Sequence, residues 1–453
     1  MQAIPQNPRS LRPWWALVGI VLLGLGLSFL VFDIPKWNVL WYVFGWYGYL
    51  LIIDAVIYLR QGRSFLTHRR RELLEMMFWS VPFWFLFEAY NFVIKNWYYV
   101  FALRSDWLQG IFAWTSFATV LPACFLHAEL LKSMELFTDL RTRLLNIHRG
   151  LRQLFLYFGA ACLVLPLVWP RYAFWMVWGA TLGVPDVINY RNGAPSILGD
   201  LEEGRPGRLL RLLIGGMIAG LVWEGLNYWA RCKWIYTVPG LESVKLFEMP
   251  IPGFLGFPVL AVEAFAFYSM LSHYLRGGRH WEIDDFKQVG KRLARSYLPM
   301  AILATGLSVW AYVGVMHITL QSRRPQLQQI AGITTREIAS LHSAHIHSPE
   351  QLYDRTPPGK LASLGERTGI PVAKLTAFRR ELSLVLHKGM GIPDARLLLA
   401  VGVEQVTDLL TWNADELYSA ITHYAREYQL DPPRKSEVKV WLRAVELVGG
   451  TKR

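Results

Sequence analysis

Five carboxylates fall within apolar runs of this sequence: Asp54, Glu88, Asp186, Glu224 and Glu263, with His127 and Glu129 near the end of another. Two of them belong to a phrase that occurs twice. Residues 87–99 read Phe-Glu-Ala-Tyr-Asn-Phe-Val-Ile-Lys-Asn-Trp-Tyr-Tyr, and residues 223–236 read Trp-Glu-Gly-Leu-Asn-Tyr-Trp-Ala-Arg-Cys-Lys-Trp-Ile-Tyr. Each holds Glu-x-x-Asn, then a basic residue, then Trp-x-Tyr. Residues three apart share a helix face, so Asn91 stands beside Glu88 and Asn227 beside Glu224, where an amide fixes the orientation of a carboxyl. Burial favours the neutral form of a carboxyl, and a neutral carboxyl donates a proton as a general acid must. The rings of Trp97, Tyr99, Trp234 and Tyr236 attract a cation or a developing carbocation. Glu224, Glu263 and Glu88 are the candidate catalytic residues. Asn91, Asn227, Trp97, Trp234, Tyr99, Tyr236, Asp54 and Asp186 are the candidate ligand-binding ones. Glu263 lies mid-run with no carboxylate at the matching place in the first half, where Pro122 lies nearby, so the second half is the better candidate for chemistry.

Competing readings exist for the same residues. Glu and Asn inside a helix bundle link helices by hydrogen bonds, and a midplane carboxylate also suits an ion or proton path. Asp54 and Asp186 lie close to arginine-rich loops and fit helix-end ion pairing. Cys124, Cys162 and Cys232 have no metal-ligand spacing and read as structural. His342, His345 and His347 cluster without a supporting carboxylate pattern, so no metal is expected. No ATP, flavin, haem or zinc motif appears, and no cofactor is expected.

The elements that carry these residues are apolar runs of about 20 residues, the length of a membrane span. They fall near 13–32, 38–59, 73–95, 107–130, 153–169, 172–190, 209–230, 251–273 and 297–319. The chain is 53% hydrophobic, 14% aromatic and only 18% charged, against roughly 25% charged in a soluble domain. Its net charge of +13 resides largely in short loops, which reads as topology signal rather than nucleic-acid binding. Arg60, Arg63 and Arg69 to Arg71 follow the second run, Lys132, Arg141, Arg143, Arg149 and Arg152 the fourth, Arg191, Arg205 and Arg208 the sixth, and Arg276, Arg279, Lys287, Lys291, Arg292 and Arg295 the eighth. Every even-numbered run thus ends on the basic, cytoplasmic side, as does the N-terminus with Arg9 and Arg12. Nine spans in the inner membrane of a bacterium would place the C-terminal part outside the cytoplasm. No cleavable signal peptide is evident before the first run.

The duplication is longer than the opening phrase. Leu11-Arg12 matches Leu151-Arg152. Asp54-x3-Tyr58, followed by Arg60, Gly62, Ser64 and Leu66, matches Asp186-x3-Tyr190, followed by Arg191, Gly193, Ser196 and Leu198. The expectation is two parallel four-helix repeats, 11–135 and 151–275, with a final span 297–319 and a ligand cleft between the halves. After residue 320 the composition changes: 18 basic against 14 acidic residues, net +4, with no long apolar run. Residues 321–453 read as a soluble helical domain behind a polar linker, Gln321 to Gln329. The fold class expected is all-α, with the transmembrane domain at 1–320.

Two resemblances follow from longer phrases. Glu-x-x-Asn, Trp-Ile-Tyr and Phe247-Glu-Met-Pro-Ile-Pro-Gly-Phe-Leu-Gly-Phe-Pro258 resemble the polytopic carotenoid hydratases and the small membrane lycopene cyclases. That resemblance implies carboxylates that protonate an isoprenoid double bond, here Glu224 or Glu263, with Asn227, Trp234 and Tyr236 beside them. Leu386-His-Lys-Gly-Met-Gly-Ile-Pro-Asp-Ala-Arg396 and the segments to Leu447 resemble a family of unknown function built on helix-hairpin-helix units. In DNA-binding relatives the amides of such a turn contact phosphate, and Lys388 and Arg396 flank the turn here. The modest +4 and the expected topology argue against nucleic acid as a partner. The reading is a membrane binding or scaffold protein that holds a lipid or isoprenoid and engages another membrane-associated protein, or a second copy of itself, through 321–453. The alternatives are an isoprenoid-protonating enzyme and an ion-coupled transporter.

Overall fold

The computed structural model describes residues 12–32, 34, 37–239, 244–282 and 293–450. Arg9, Leu11, Lys287, Lys291 and Arg292, used above, lie outside them. The chain is mostly helical. In its first part the helices are α1 (Trp14–Val31), α2 (Trp41–Gln61), α3 (Phe65–His68), α4 (Arg70–Ile94), α5 (Asp106–Phe117), α6 (Val120–Ser133), α7 (Arg149–Val168), α8 (Pro170–Ala173), α9 (Gly183–Arg191), α10 (Ile197–Glu202), α11 (Gly207–Trp229), α12 (Gly256–Leu275) and α13 (Tyr297–Gly314). Between α4 and α5 runs strand β1 (Trp97–Val100). After α11 come β2 (Lys233–Tyr236), β3 (Lys245–Leu246) and β4 (Met249–Pro250). Among the described residues, eight helical stretches are long and apolar enough to cross a membrane: 14–31, 38–61, 70–94, 106–133, 149–168, 207–229, 251–275 and 297–319.

The expected span at 172–190 is not among those eight. It is broken into α8, a 3-10 turn over Phe174–Gly179 and α9. Two physical causes are visible. Trp178 leaves helical geometry at φ −77°, ψ 31°. Gly183 also lies so close to α7 that a Cβ there would fall 2.7 Å from the Cα of Gly159. A break inside a membrane frees backbone amides that must find partners. Glu263 supplies one: its Oε1 accepts the Thr181 N–H at 2.9 Å.

Helix α11 packs against both α6 and α12, and α1 lies along α2. At the arginine-rich end a buried network ties α4 to α12. Arg276, fully buried, donates to Glu72 and to the Tyr268 hydroxyl, each at 2.6 Å, and Tyr268 donates to Glu72 at 2.6 Å. At the other end β1 and β2 pair antiparallel, with Trp97 opposite Tyr236 and Tyr99 opposite Trp234.

The second part holds α14 (Thr335–Ser343), α15 (Pro349–Arg355), α16 (Leu361–Thr368), α17 (Val372–Leu386), α18 (Gly391–Ala400), α19 (Ala414–Glu427) and α20 (Lys435–Gly450). They surround their own core, which includes Leu341, Phe378, Leu382, Leu398, Leu417 and Trp441. The expected polar linker begins as an ordered strand-like segment beside β1. Gln321 donates its N–H to the Tyr99 carbonyl at 2.9 Å, Ala102 to Ser322 at 3.0 Å and Arg324 to Ala102 at 2.9 Å. Backbone pairing thus joins the two parts directly.

Candidate ligand cage

The two copies of the phrase make the same bonds. At the end of α4, Asn91 accepts the N–H groups of Asn96 and Trp97 on its Oδ1, at 2.9 and 3.3 Å, and donates to the Trp97 carbonyl at 2.9 Å. At the end of α11, Asn227 accepts from Trp234 N–H and donates to the Trp234 carbonyl, both at 3.0 Å. Each asparagine satisfies backbone groups where a helix ends and a strand begins. It does not bond its neighbouring glutamate; it fixes the strand that brings Trp and Tyr back over that glutamate.

Glu88 then receives three edge donors: Tyr99 Oη at 2.5 Å, Trp84 Nε1 at 3.0 Å and Trp97 Nε1 at 3.2 Å. Glu224 receives Tyr236 Oη at 2.9 Å and Trp234 Nε1 at 3.3 Å. Both carboxyl groups are fully buried. Among the described residues no ion pair reaches either one, and Oε2 of Glu224 has no hydrogen-bond partner.

Between them lies a cavity with about 70 Å³ of free volume. Its wall is aromatic: Trp84, Trp97, Tyr99, Trp223, Trp234 and Tyr236, with Trp178 and Phe257, Tyr312 from the end of α13 and Met316 from the turn that follows it. The glutamates are not part of that wall. They hold the polar edges of the rings, which stand between them and the cavity.

Residues 331–446 match the family described as Domain of unknown function (DUF4332). That match covers most of the second part and none of the first. No curated protein matches the chain, and no solved structure does. The resemblance of the membrane part to carotenoid hydratases and lycopene cyclases therefore gains no support from comparison.

The matched domain sits over the strand end of the cage. The turn between α17 and α18 carries Lys388 at φ 49°, Gly389 at φ 69° and Gly391 at φ 81°. It faces the membrane part: a Cβ at Gly389 would fall 2.5 Å from the Val100 side chain. Ser322 bonds both the Gly389 carbonyl and the Phe101 N–H. The side chain of Lys388 reaches Glu248, in the β3–β4 turn, at 3.1 Å, and Lys233 of β2 reaches the same carboxylate at 2.8 Å. Burial works against the charge on Glu248, but the two ammonium groups outweigh it and hold its carboxyl below the ordinary range. Lys233, which also lines the cavity, titrates below its ordinary value because its own burial exceeds what Glu248 returns.

The remaining candidates lie elsewhere. Asp54 accepts the N–H groups of Phe65 and Leu66, at 3.0 and 3.3 Å, and Asp186 those of Ile197 and Leu198, at 2.7 and 3.0 Å. Each holds the first turn of the short helix that follows its own, α3 after α2 and α10 after α9, and neither lines the cage. Glu263 serves the broken segment, as described above. At the place corresponding to Glu263, counted from Pro122 and Pro258, the first half has His127, which bonds the Tyr49 hydroxyl at 2.9 Å. The histidines at 342, 345 and 347 form no metal-binding group with other ligands among the described residues. Trp84, Trp178, Trp223 and Glu248 were not among the candidates named from the sequence. Only Glu248, a lone charge between Phe247 and Met249, offered a signal.

Proposed function

We propose that this is an integral membrane protein that binds an amphipathic lipid or isoprenoid, its head in the aromatic cage and its tail in the bilayer-facing groove beside it. The observation that carries the proposal is that two buried glutamates, each holding its own indole and phenol, bring those rings to one shared cavity. A free volume near 70 Å³ leaves no room for a whole polyene. An apolar groove of about 660 Å³ runs between α4, α12 and α13, lined from Ser296 to Ala311 along α13. Tyr312 to Leu320 of the same stretch then line the cage. Head and tail sites therefore adjoin along one helix.

The enzyme reading has less behind it. A general acid must reach the atom it protonates, and here rings stand between each glutamate and the cavity. The matched domain would act as a lid over the cage and, through its outward face, as an adaptor for a membrane-associated partner. Against a nucleic-acid role stands the placement of its glycine turn, which is packed on Val100 and Ser322. A parallel duplication is supported by the matched bonds of Asn91 with Asn227, Glu88 with Glu224 and Asp54 with Asp186. With the broken segment counted as a crossing, nine crossings put the lid outside the cytoplasm, and a reporter fused after Arg453 that is active in the cytoplasm would overturn that topology. The binding role is tested by lipid analysis of the purified protein and of Ala113→Phe, which fills the cavity from α5. The wild-type protein is expected to retain a stoichiometric lipid or isoprenoid that the variant loses. Equal, non-stoichiometric lipid in both would sink the proposal.

A further inference from the structure

Two fully buried carboxyl groups stand behind the cage wall, and among the described residues no cation pairs with them. Elsewhere this chain meets its buried acids in two ways: Glu72 meets Arg276 and Glu248 meets two lysines, whereas Asp54, Asp186 and Glu263 are met by backbone N–H groups. Buried charges ordinarily have a partner, because an isolated ion in a low-dielectric interior is costly. Lys233, the cation at the cavity wall, is engaged by Glu248. Glu88 and Glu224 are met in neither way: their donors are the ring edges of the cavity wall.

The wall fits such a ligand. The face of an aromatic ring attracts cations through its quadrupole, and Trp is the strongest of the three rings. Five tryptophans, at 84, 97, 178, 223 and 234, line the cavity. Three of them, together with Tyr99 and Tyr236, donate their edge hydrogens to Glu88 or Glu224. Hydrogen bonds polarise one another in a low dielectric, so an acid oxygen accepting from the N–H or O–H edge pushes electron density toward the ring and deepens the attraction. Aromatic walls whose ring edges are held by acids are the chemistry that recognises a methylated ammonium group, which in its quaternary form offers no hydrogen-bond donors of its own.

We propose that the cage takes a quaternary or methylated ammonium group, delivered by the head of a zwitterionic membrane lipid or by a free quaternary amine. This deepens the binding role above and rests on it. The full-length protein in a neutral maltoside detergent is titrated with tetramethylammonium and with choline, with sodium chloride as control, following tryptophan fluorescence. In parallel, native mass spectrometry of protein released from nanodiscs compares phosphatidylcholine with phosphatidylglycerol. Saturable quenching by the ammonium salts, or preferential retention of phosphatidylcholine, is the expected result. The first outcome alone indicates a free amine, and the second a lipid. The double variant Glu88→Gln, Glu224→Gln keeps the shape and removes the charge, and is expected to weaken binding at least about tenfold, near 1.4 kcal/mol. Trp178→Phe, whose indole makes no hydrogen bond here, is expected to weaken it severalfold while elution and melting stay those of the wild type. Retention of phosphatidylglycerol or a neutral isoprenoid in a cavity-dependent way, with no ammonium effect, overturns the ammonium proposal and leaves the binding role standing. Absence of any cavity-dependent ligand overturns both.

Discussion

Replacing Glu248 by Gln should loosen the lid, and the structure sets the size of the effect. The carboxylate is buried and shared by Lys233 at 2.8 Å and Lys388 at 3.1 Å. Removing one partner of a fully buried pair costs about 3–5 kcal/mol, because the other charge stays buried without compensation. An exposed pair is worth only about 0.2–1 kcal/mol. The lysine side chains here are 18% and 28% exposed, between those limits, so a loss of about 2 kcal/mol is expected. At about 1.4 kcal/mol per factor of ten, docking weakens roughly thirtyfold. Limited proteolysis of the detergent-solubilised protein reports this as faster cleavage near residues 321–331, and calorimetry as two transitions in place of one. Lys388→Met should give part of the effect, and the double variant less than the sum, because both act on one cluster. The sign with pH is also fixed. The carboxyl of Glu248 titrates below its ordinary value in the folded protein, so its contribution is complete above the ordinary Glu value near 4.3 and is lost as pH falls below it. Glu248→Gln should remove that acid sensitivity. Unchanged proteolysis in Glu248→Gln, or strict additivity with Lys388→Met, would refute the idea that this cluster holds the lid.

Further outcomes follow from other clusters. Gly389→Ala combines a left-handed backbone with a 2.5 Å approach to Val100 and should undock the lid at least as strongly as Glu248→Gln, read by the same proteolysis. Burial and the neighbouring Glu437 push Asp394 up to about 7, and burial pushes Glu437 up to about 6. Such raised acids favour the fold at low pH, and that contribution is lost as pH rises from near 4 through 7. Asp394→Asn should flatten this decline in a melting series from pH 5 to 8. Arg276→Met strands Glu72 in the core and should cost about 3–5 kcal/mol, measured as a lowered midpoint of thermal inactivation. Asp54→Asn and Asp186→Asn each weaken a helix N-terminus, about 1 kcal/mol apiece, and should add, since they hold separate helices.

Much of the fold was legible because hydrophobic runs of span length are the strongest signal a sequence carries. Where Trp178 and Gly183 break the run at 174–183, length and hydropathy alone predict a helix that close packing on Gly159 does not allow. The repeated phrase drew attention to Glu88 and Glu224, but assigned Asn91 and Asn227 to the glutamates. Their side chains serve backbone groups six and seven residues on, a bond that helix spacing cannot foresee. Asp54 and Asp186 look like ion-pairing residues from their arginine-rich surroundings, yet backbone amides at short helix starts lie nearer. The cage itself was invisible in part. Trp84 and Trp178 lie outside the repeated phrase and carry no pattern that separates a wall residue from an interfacial one. The strand pairing of β1 with β2 also escaped, since four-residue strands in a helical context give little period-two signal.

The claim that the cage is a ligand site is tested most directly by photo-crosslinking. A phospholipid bearing a diazirine on its head group is incorporated with the protein in nanodiscs, illuminated, and the labelled peptides are mapped. Labels concentrated on residues 97–100, 223–236 and 312–320, and abolished in Ala113→Phe, are the expected result. Labels confined to the outward faces of α1, α7 and α13, unchanged in that variant, would contradict it.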